Sequence, residues 1–476
     1  MAVSVATSAG GETTIPEEAL ADLRGRVRGQ VLTPADPGYD SVRPMSNAMY
    51  EGRAALAVRC SGTADVVAVV NFARDNGLLL AVRGGGHSIA GLSAGDGAML
   101  IDLSPMNGVR VDPDQRRAQV QGGALWGDVD HEAQLFGLAT PGGAISDTGV
   151  AGLTLGGGYG WLRRKYGLSC DNVVEAQVVC ADGEVRTASA DSHPDLYWAI
   201  RGGGGNFGVV TSFTFALHPV GPTVAFVGTV YPVEDAARVA RGWRDYMADA
   251  PDEVTSVMVA FTFPAAPDLP PPVHDRACAV VGAVYVGDVD EGMALMQPLR
   301  ELAEPVVDLT HPAPYTFVQS AFDALVSRHT VRSYWKSQYL TELSDAAIDA
   351  WAALALDRPA PLTIMNLWPM GGAVNRVDAE ATAFAERSAP WMVSIDGNWH
   401  DPAVDEEGIA WVRSAWSKMS EFGTGGVYLN FTGLADEATT SSVESALGRN
   451  LRRLASVKAT YDPGNLFRLN NNITPA

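Results

Sequence analysis

The spacing of apolar residues changes character once along the chain. From Asp65 to Leu217 short helix-like and strand-like stretches alternate. Asp65 caps an apolar-periodic run that ends near Asn76-Gly77, and Leu78 to Val82 and Met99 to Leu103 read as buried strands. Pro194 to Ile200 reads as a helix and Val209 to Leu217 as a strand. After Val220-Gly221-Pro222 the strand candidates lengthen: Thr223 to Val233, Val254 to Phe263, Ala277 to Val286, Leu362 to Trp368 and Trp391 to Ile395. Helical patterns at Val233 to Met247, Asp290 to Leu302 and Asp345 to Leu356 lie among them. The class is α+β, with a second domain beginning near Thr223. Its strands carry the aromatic and β-branched residues expected of a sheet with one face on a ligand or another domain.

Composition narrows the function. A chain of 476 residues, 47% hydrophobic and 19% charged, has the length for two or three domains and the apolar content for a large core. A formal charge of −21 repels nucleic acid and anionic membranes, so neither is expected as a partner. The basic run Trp161-Leu162-Arg163-Arg164-Lys165 reads as a solvated or cofactor-facing turn. Cys60, Cys170, Cys180 and Cys278 show no CxxC spacing and are expected as reduced thiols. The first residues lack a basic n-region and an apolar h-region, and no later run reaches membrane-spanning length, so the expected location is cytoplasmic.

The chemistry sits in glycine clusters. Gly203 to Gly208 satisfies GxGxxG, but a helix precedes it and a strand follows, the reverse of a dinucleotide-binding Rossmann turn. Ser333-Tyr334-Trp335-Lys336 matches SxxK without its SDN and KTG partners, and the eight histidines show no metal-binding spacing. Val82-Arg83-Gly84-Gly85-Gly86-His87-Ser88 differs: three glycines after an apolar strand expose successive N–H groups suited to a pyrophosphate, and a nucleophilic imidazole follows at once. Further clusters fall at Gly142-Gly143, Gly156 to Gly158 and Gly202 to Gly205. Each glycine costs conformational entropy on ordering, and such density is reasonable where backbone must lie against a long cofactor.

These segments, with Gly149 to Gly160, Tyr166-Gly167-Leu168, Asp171-Asn172, Tyr428-Leu429-Asn430-Phe431 and Tyr461 to Phe467 followed by Asn470 and Asn472, resemble the berberine-bridge-enzyme-like group of the vanillyl-alcohol-oxidase flavoproteins over nearly the whole chain. The resemblance implies a lead-in over 1–35, a PCMH-type FAD-binding domain over 36–222, a substrate domain with an antiparallel sheet covered by helices over 223–425, and a segment over 426–476 that returns to the FAD domain. It implies FAD with one covalent bond, from the flavin C8 methyl to His87. The implied cofactor contacts are Arg83, Gly84, Gly85, Gly86, Ser88, Gly142, Gly143, Ile145, Thr148, Gly149, Gly152, Gly205, Gly208, Val210, Tyr428, Asn430, Asn470 and Asn472. Ile145 stands where members with a second flavin bond have cysteine, and Cys170 lies outside that loop. Phe431 stands where many sugar-, alcohol- and phenol-oxidising members have a tyrosine base, which leaves Tyr428 and Lys336 as candidate bases. Thr148 falls where relatives gate dioxygen, and Tyr334, Lys336, Asn366, Trp368, Trp391 and Phe431 are candidates for the substrate pocket.

The single histidine linkage and the Tyr-x-Asn-Phe variant look most like the branches that oxidise 6-hydroxy-D-nicotine or tailor polyketides. The expected function is a monomeric or homodimeric oxidase that moves hydride from a small molecule to flavin and electrons on to dioxygen, giving peroxide, with amines or activated carbon centres favoured. A tailoring monooxygenase or oxidative cyclase, and a sugar or alcohol oxidase, are the alternatives.

Overall fold

The computed structural model describes residues 2–476 apart from 268, 324–328, 432, 435–436 and 438–439. The alternating first half builds two sheets. In one, the parallel strands Leu56–Arg59, Met99–Asp102 and Leu80–Arg83 lie side by side, with Gln30–Leu32 antiparallel at the edge. In the other, five antiparallel strands run in the order Val185–Ser189, Val173–Val179, Val209–Ala216, Arg117–Gln121 and Val109–Asp112. Helix Thr63–Asp75 buries Val66, Val69 and Val70 in the core these sheets share. Asp65 does not cap that helix; its carboxylate accepts from the N–H groups of Arg28, Gly29 and Ser61 and ties the N-terminal segment down.

The second half forms an eight-stranded antiparallel sheet that begins at Thr223–Pro232 and has Ile364–Pro369, Trp391–Trp399 and Arg332–Leu340 side by side toward one edge. Helices Ala236–Asp249, Asp345–Leu356 and Asp405–Ser420 cover one face, burying Trp243, Trp351 and Met419 against Met258, Met365 and Ile395. By strand alternation Val257, Val259, Ile364, Asn366, Met392 and Asp396 point the other way, toward the first half.

Several elements differ from the sequence reading. Strand Trp391–Trp399 runs four residues beyond Ile395, because Asp396-Gly397 has turn composition yet both residues pair across the sheet. Strand Arg332–Leu340 and helix Asp405–Ser420 were not anticipated. The stretch from Asp290 breaks into helix Val289–Leu295 and a 3-10 turn Gln297–Arg300, since Pro298 lacks a backbone donor. The basic turn is not solvated at its centre: Arg163 is fully buried, bonded to the carbonyls of Gly160, Ser256 and Pro369 and packed on Trp368.

The chain returns through helix Leu451–Tyr461 to the first half. There the fully buried Lys458 pairs with Asp462 at 3.1 Å and donates to the carbonyls of Asn206 and Phe467 at 2.9 Å. Among the described residues no helix is long and apolar enough to cross a membrane.

Candidate active site

One cavity lies between the glycine loops and the open face of the large sheet. Its floor is backbone. Gly85 and Gly149 touch main chain to main chain, so that a Cβ on either would fall 2.4 Å from the other's backbone, whereas a Cβ on Gly152 or Gly205 would meet nothing within 4 Å. Gly84 to Ser88 line the cavity, and no described residue accepts a hydrogen bond from their backbone N–H groups. Gly143, Ile145, Thr148, Gly208, Val210, Tyr428, Asn430 and Asn470 complete this half, and the Asn470 side-chain oxygen is buried without a partner. A long strip of bare backbone with free donors and an unpaired amide fits a dinucleotide with a polar ring edge.

The opposite wall is apolar and aromatic. Asn366, Trp368 and Phe431 line it, joined by Trp335, Met392, Val257, Val259, Ile364 and Phe322. Trp335 meets Phe431 edge to face at 5.4 Å, and both pack with Ile89 and Ile145 from the glycine side. Asn47 ties the two sides together, donating to the carbonyls of Ile89 at 2.7 Å and Ser333 at 2.8 Å.

Within this wall stands Asp396. It pairs across the sheet with Ile364 and Trp335, Asn366 donates to its Oδ2 at 2.7 Å, and its Oδ1 is buried without a hydrogen-bond partner. Burial pushes its carboxyl up to about 7, against the opposing pull of hydrogen bonds from Ser394 and Asn366. A carboxyl that titrates near neutral pH and lacks a partner on one oxygen is equipped to exchange a proton with a ligand.

Six expected contacts are not part of the cavity. Arg83 ends its strand with the guanidinium turned to Asp102, 3.7 Å away. Gly142 faces the Trp126 ring, and Asn472 sits beyond the cavity beside Val443 and Arg452. Tyr334 and Lys336 alternate away from Trp335 to the helix-covered face, where both bond Glu437. Trp391 lies opposite Met392 and packs on Trp243 at 5.4 Å. The same alternation puts Ser333 and Lys336 on opposite faces, so SxxK is no site. Tyr428 lines the cavity, but its hydroxyl accepts from Gly158 N–H and Asn430 Nδ2, and burial raises its pKa, so it is a poor base near neutral pH. All four cysteines are free and buried, and Cys170 lies outside the cavity lining with its thiol pushed up by burial.

Comparison with known proteins decides the family. Residues 54–189 match the model of the FAD binding domain, and residues 427–474 match that of berberine and berberine-like proteins. The chain is 30% identical to the FAD-linked oxidoreductase YgaK of Bacillus subtilis over 94% of this chain and 98% of that protein. It is also 30% identical to (R)-6-hydroxynicotine oxidase of Paenarthrobacter nicotinovorans over 94% and 97%. This chain is a berberine-bridge-like FAD-linked oxidoreductase. Crystalline 6-hydroxy-D-nicotine oxidase from Arthrobacter nicotinovorans superposes with a TM-score of 0.83 at 29% identity, covering 94% of this chain and 98% of that one. A chitooligosaccharide oxidase gives the same TM-score at 22% identity, a likeness of fold.

The oxidoreductase's cofactor is FAD, and the glycine floor fits it. Asp396 and Trp335, with the apolar Met392, Val257, Val259, Ile364 and Phe322, line the cavity and were missed by sequence reasoning. The available signal was a carboxylate two residues past Ser394 and four past Met392, on one face of a strand, but the reading closed that strand at Ile395.

Proposed function

We propose that this oxidoreductase is an oxidase of small hydrophobic amines or similarly activated carbon centres, with FAD held by one covalent bond at His87. Residues 36–222 and 426–476 hold the cofactor and 223–425 the substrate. FAD, when bound there, would supply a hydride acceptor that dioxygen can reoxidise with peroxide as the product. The observation that carries the reading is the buried carboxyl of Asp396 in a wall that, apart from Asn366, is apolar and aromatic. An ammonium substrate would seat against the unpaired Oδ1, with Trp335, Trp368 and Phe431 around its carbon frame, and give up its N–H proton there. Loss of that proton frees the lone pair that stabilises the cation formed as hydride departs. Asn366 holds the carboxyl in place through Oδ2. Thr148 is short enough to leave room for dioxygen, and Ile145 offers no second nucleophile to the flavin. With few polar groups on this wall, an oligosaccharide would leave many hydroxyls unbonded.

Anaerobic mixing of the yellow protein with hydrophobic amines, simple alcohols and oligosaccharides tests the reading. Bleaching by amines is expected, with peroxide formed on readmitting air and flavin retained on acid-precipitated wild type but not on His87→Ala. Fast bleaching by plain oligosaccharides with none by amines overturns the substrate assignment. Full release of flavin by acid overturns the covalent one.

A further inference from the structure

We propose that Asp147 is a positioning residue for covalent attachment of the cofactor, holding the His87 imidazole by Nε2 and leaving Nδ1 as the nucleophile. The inference rests on the proposed bond between His87 and FAD. His87 Nε2 stands 2.7 Å from Asp147 Oδ1, in a contact whose ring N–H is not aligned as a hydrogen bond, and their side chains are 12% and 29% exposed. His87 lines the cavity and Asp147 does not, so the carboxylate reaches the ring from outside the cavity wall. Nδ1 has no hydrogen-bond partner among the described residues.

The contact is built by fixed backbone. The loops bearing the two residues meet where Gly85 touches Gly149, an approach that admits no side chain on either. Ser146, next to Asp147, is clamped by Asp323, which accepts from its N–H at 2.8 Å and its hydroxyl at 2.5 Å. The Ser146 carbonyl accepts from Gly127 N–H at 2.7 Å, and Trp126 N–H bonds the Thr148 carbonyl at 3.0 Å. The carboxylate is thus held against one ring nitrogen by bonds on both sides of it in sequence.

A neutral imidazole has one N–H and one lone pair, and the partner of the first nitrogen decides which nitrogen carries the lone pair. A carboxylate 2.7 Å from Nε2 favours a proton on that nitrogen over a lone pair, which leaves the lone pair on Nδ1. In the attachment step a bond forms from Nδ1 to the flavin 8-methyl carbon and one C–H bond of that methyl breaks. Its proton goes to solvent and its electron pair stays in the ring system, from which dioxygen takes two electrons to give peroxide and restore the oxidised cofactor. The imidazole becomes an imidazolium whose remaining N–H faces Asp147, so the carboxylate also stabilises the charge that develops.

The test uses full-length protein made as apoprotein, mixed with FAD in air, with the covalent fraction followed by acid precipitation and in-gel fluorescence. Non-covalent FAD affinity is measured separately under anaerobic conditions. Asp147→Asn and Asp147→Ala are expected to bind FAD within a few-fold of wild type and to attach it about 10–100-fold more slowly, with Asp147→Glu recovering part of the rate. Peptide analysis of the wild type should find the bond at Nδ1. Attachment by Asp147→Asn at the wild-type rate, parallel loss of FAD binding and attachment in all three variants, or a bond at Nε2 overturns the inference. If wild type carries no covalent flavin the underlying His87 reading falls with it, whereas normal attachment without Asp147 sinks the inference alone.

Discussion

At the scale of single residues, the proposed function makes Asp396 the proton acceptor and ties the pH dependence to its carboxyl. Its carboxyl is held near 7 by burial, so the proton-accepting form grows as pH rises through that value. The rate of flavin reduction at substrate concentrations well below saturation, which reports the free protein, is expected to rise with pH through about 7. Asp396→Asn should lower that rate by about 10²–10⁴-fold, the range for losing a positioned proton acceptor, and remove the rising limb while FAD stays bound. Tyr428→Phe and Lys336→Ala should leave the chemical step within a few-fold, because the Tyr428 hydroxyl already accepts two hydrogen bonds and Lys336 lies on the far face of the sheet. Rapid-mixing kinetics check this, and a collapse in Tyr428→Phe with Asp396→Asn unaffected would move the base to Tyr428. With Phe431 in place of a tyrosine, the sequence left Tyr428 and Lys336 as candidate bases, and in the proposed function Asp396 takes that part instead. A missing tyrosine hydroxyl is legible in one motif, but a replacement carboxylate on another strand is not.

At the scale of elements, the C-terminal helix is pinned to the cofactor half by buried Lys458, which pairs with Asp462 four residues on and donates across to the Asn206 carbonyl, rather than by apolar contact alone. Removing Lys458 leaves the buried Asp462 carboxylate with only the Leu466 and Phe467 N–H groups to offset its charge, and breaking a buried pair in this way costs about 3–5 kcal/mol. Lys458→Ala should therefore lower the midpoint of urea unfolding markedly and loosen FAD, since the carbonyls it holds belong to Asn206 and Phe467, beside cavity residues Gly205 and Gly208 in one case and Asn470 in the other. Arg26→Ala, which removes a pair to Asp22 whose side chains are 64% and 56% exposed, should cost under about 1 kcal/mol. Equal effects of the two substitutions would show that the buried pair contributes nothing special. Helix Asp345–Leu356 falls where its apolar period says, because Ser344 caps it and Trp351 needs a core. Strand Trp391–Trp399 outruns its local signal, because Asp396 pairs with neighbours on both sides and Gly397 with Tyr334 on one, despite their turn preference.

At the scale of the whole molecule, two carboxyls buried between the halves set a pH limit on stability. Besides Asp396, Asp130 is buried where helix Trp126–Gln134 meets helix Tyr315–Ser320; Gln319 donates to its Oδ2 at 2.9 Å, and burial pushes it to about 7. Both are raised from an ordinary value of 3.8, so the folded chain keeps protons that the unfolded chain releases. Their contribution is fully present below about pH 4 and is lost as pH rises through about 7. The apoprotein's melting temperature should accordingly fall between about pH 4.5 and about pH 7 and level off above it, and Asp130→Asn should flatten the fall; an unchanged slope in that variant would mean that the carboxyl is already ionised in the folded state over that range. The sequence by itself determined the class of fold, the cofactor and the glycine loops, because backbone laid against a dinucleotide requires glycine at fixed local positions that a short motif can record. Tertiary structure alone decided which face of each strand meets the cavity, and so set aside Tyr334, Lys336 and Trp391 and brought in Trp335 and Asp396. The physical reason is that a strand offers two faces with a period of two residues, and only the helices packed on one of them decide which face is left for the ligand.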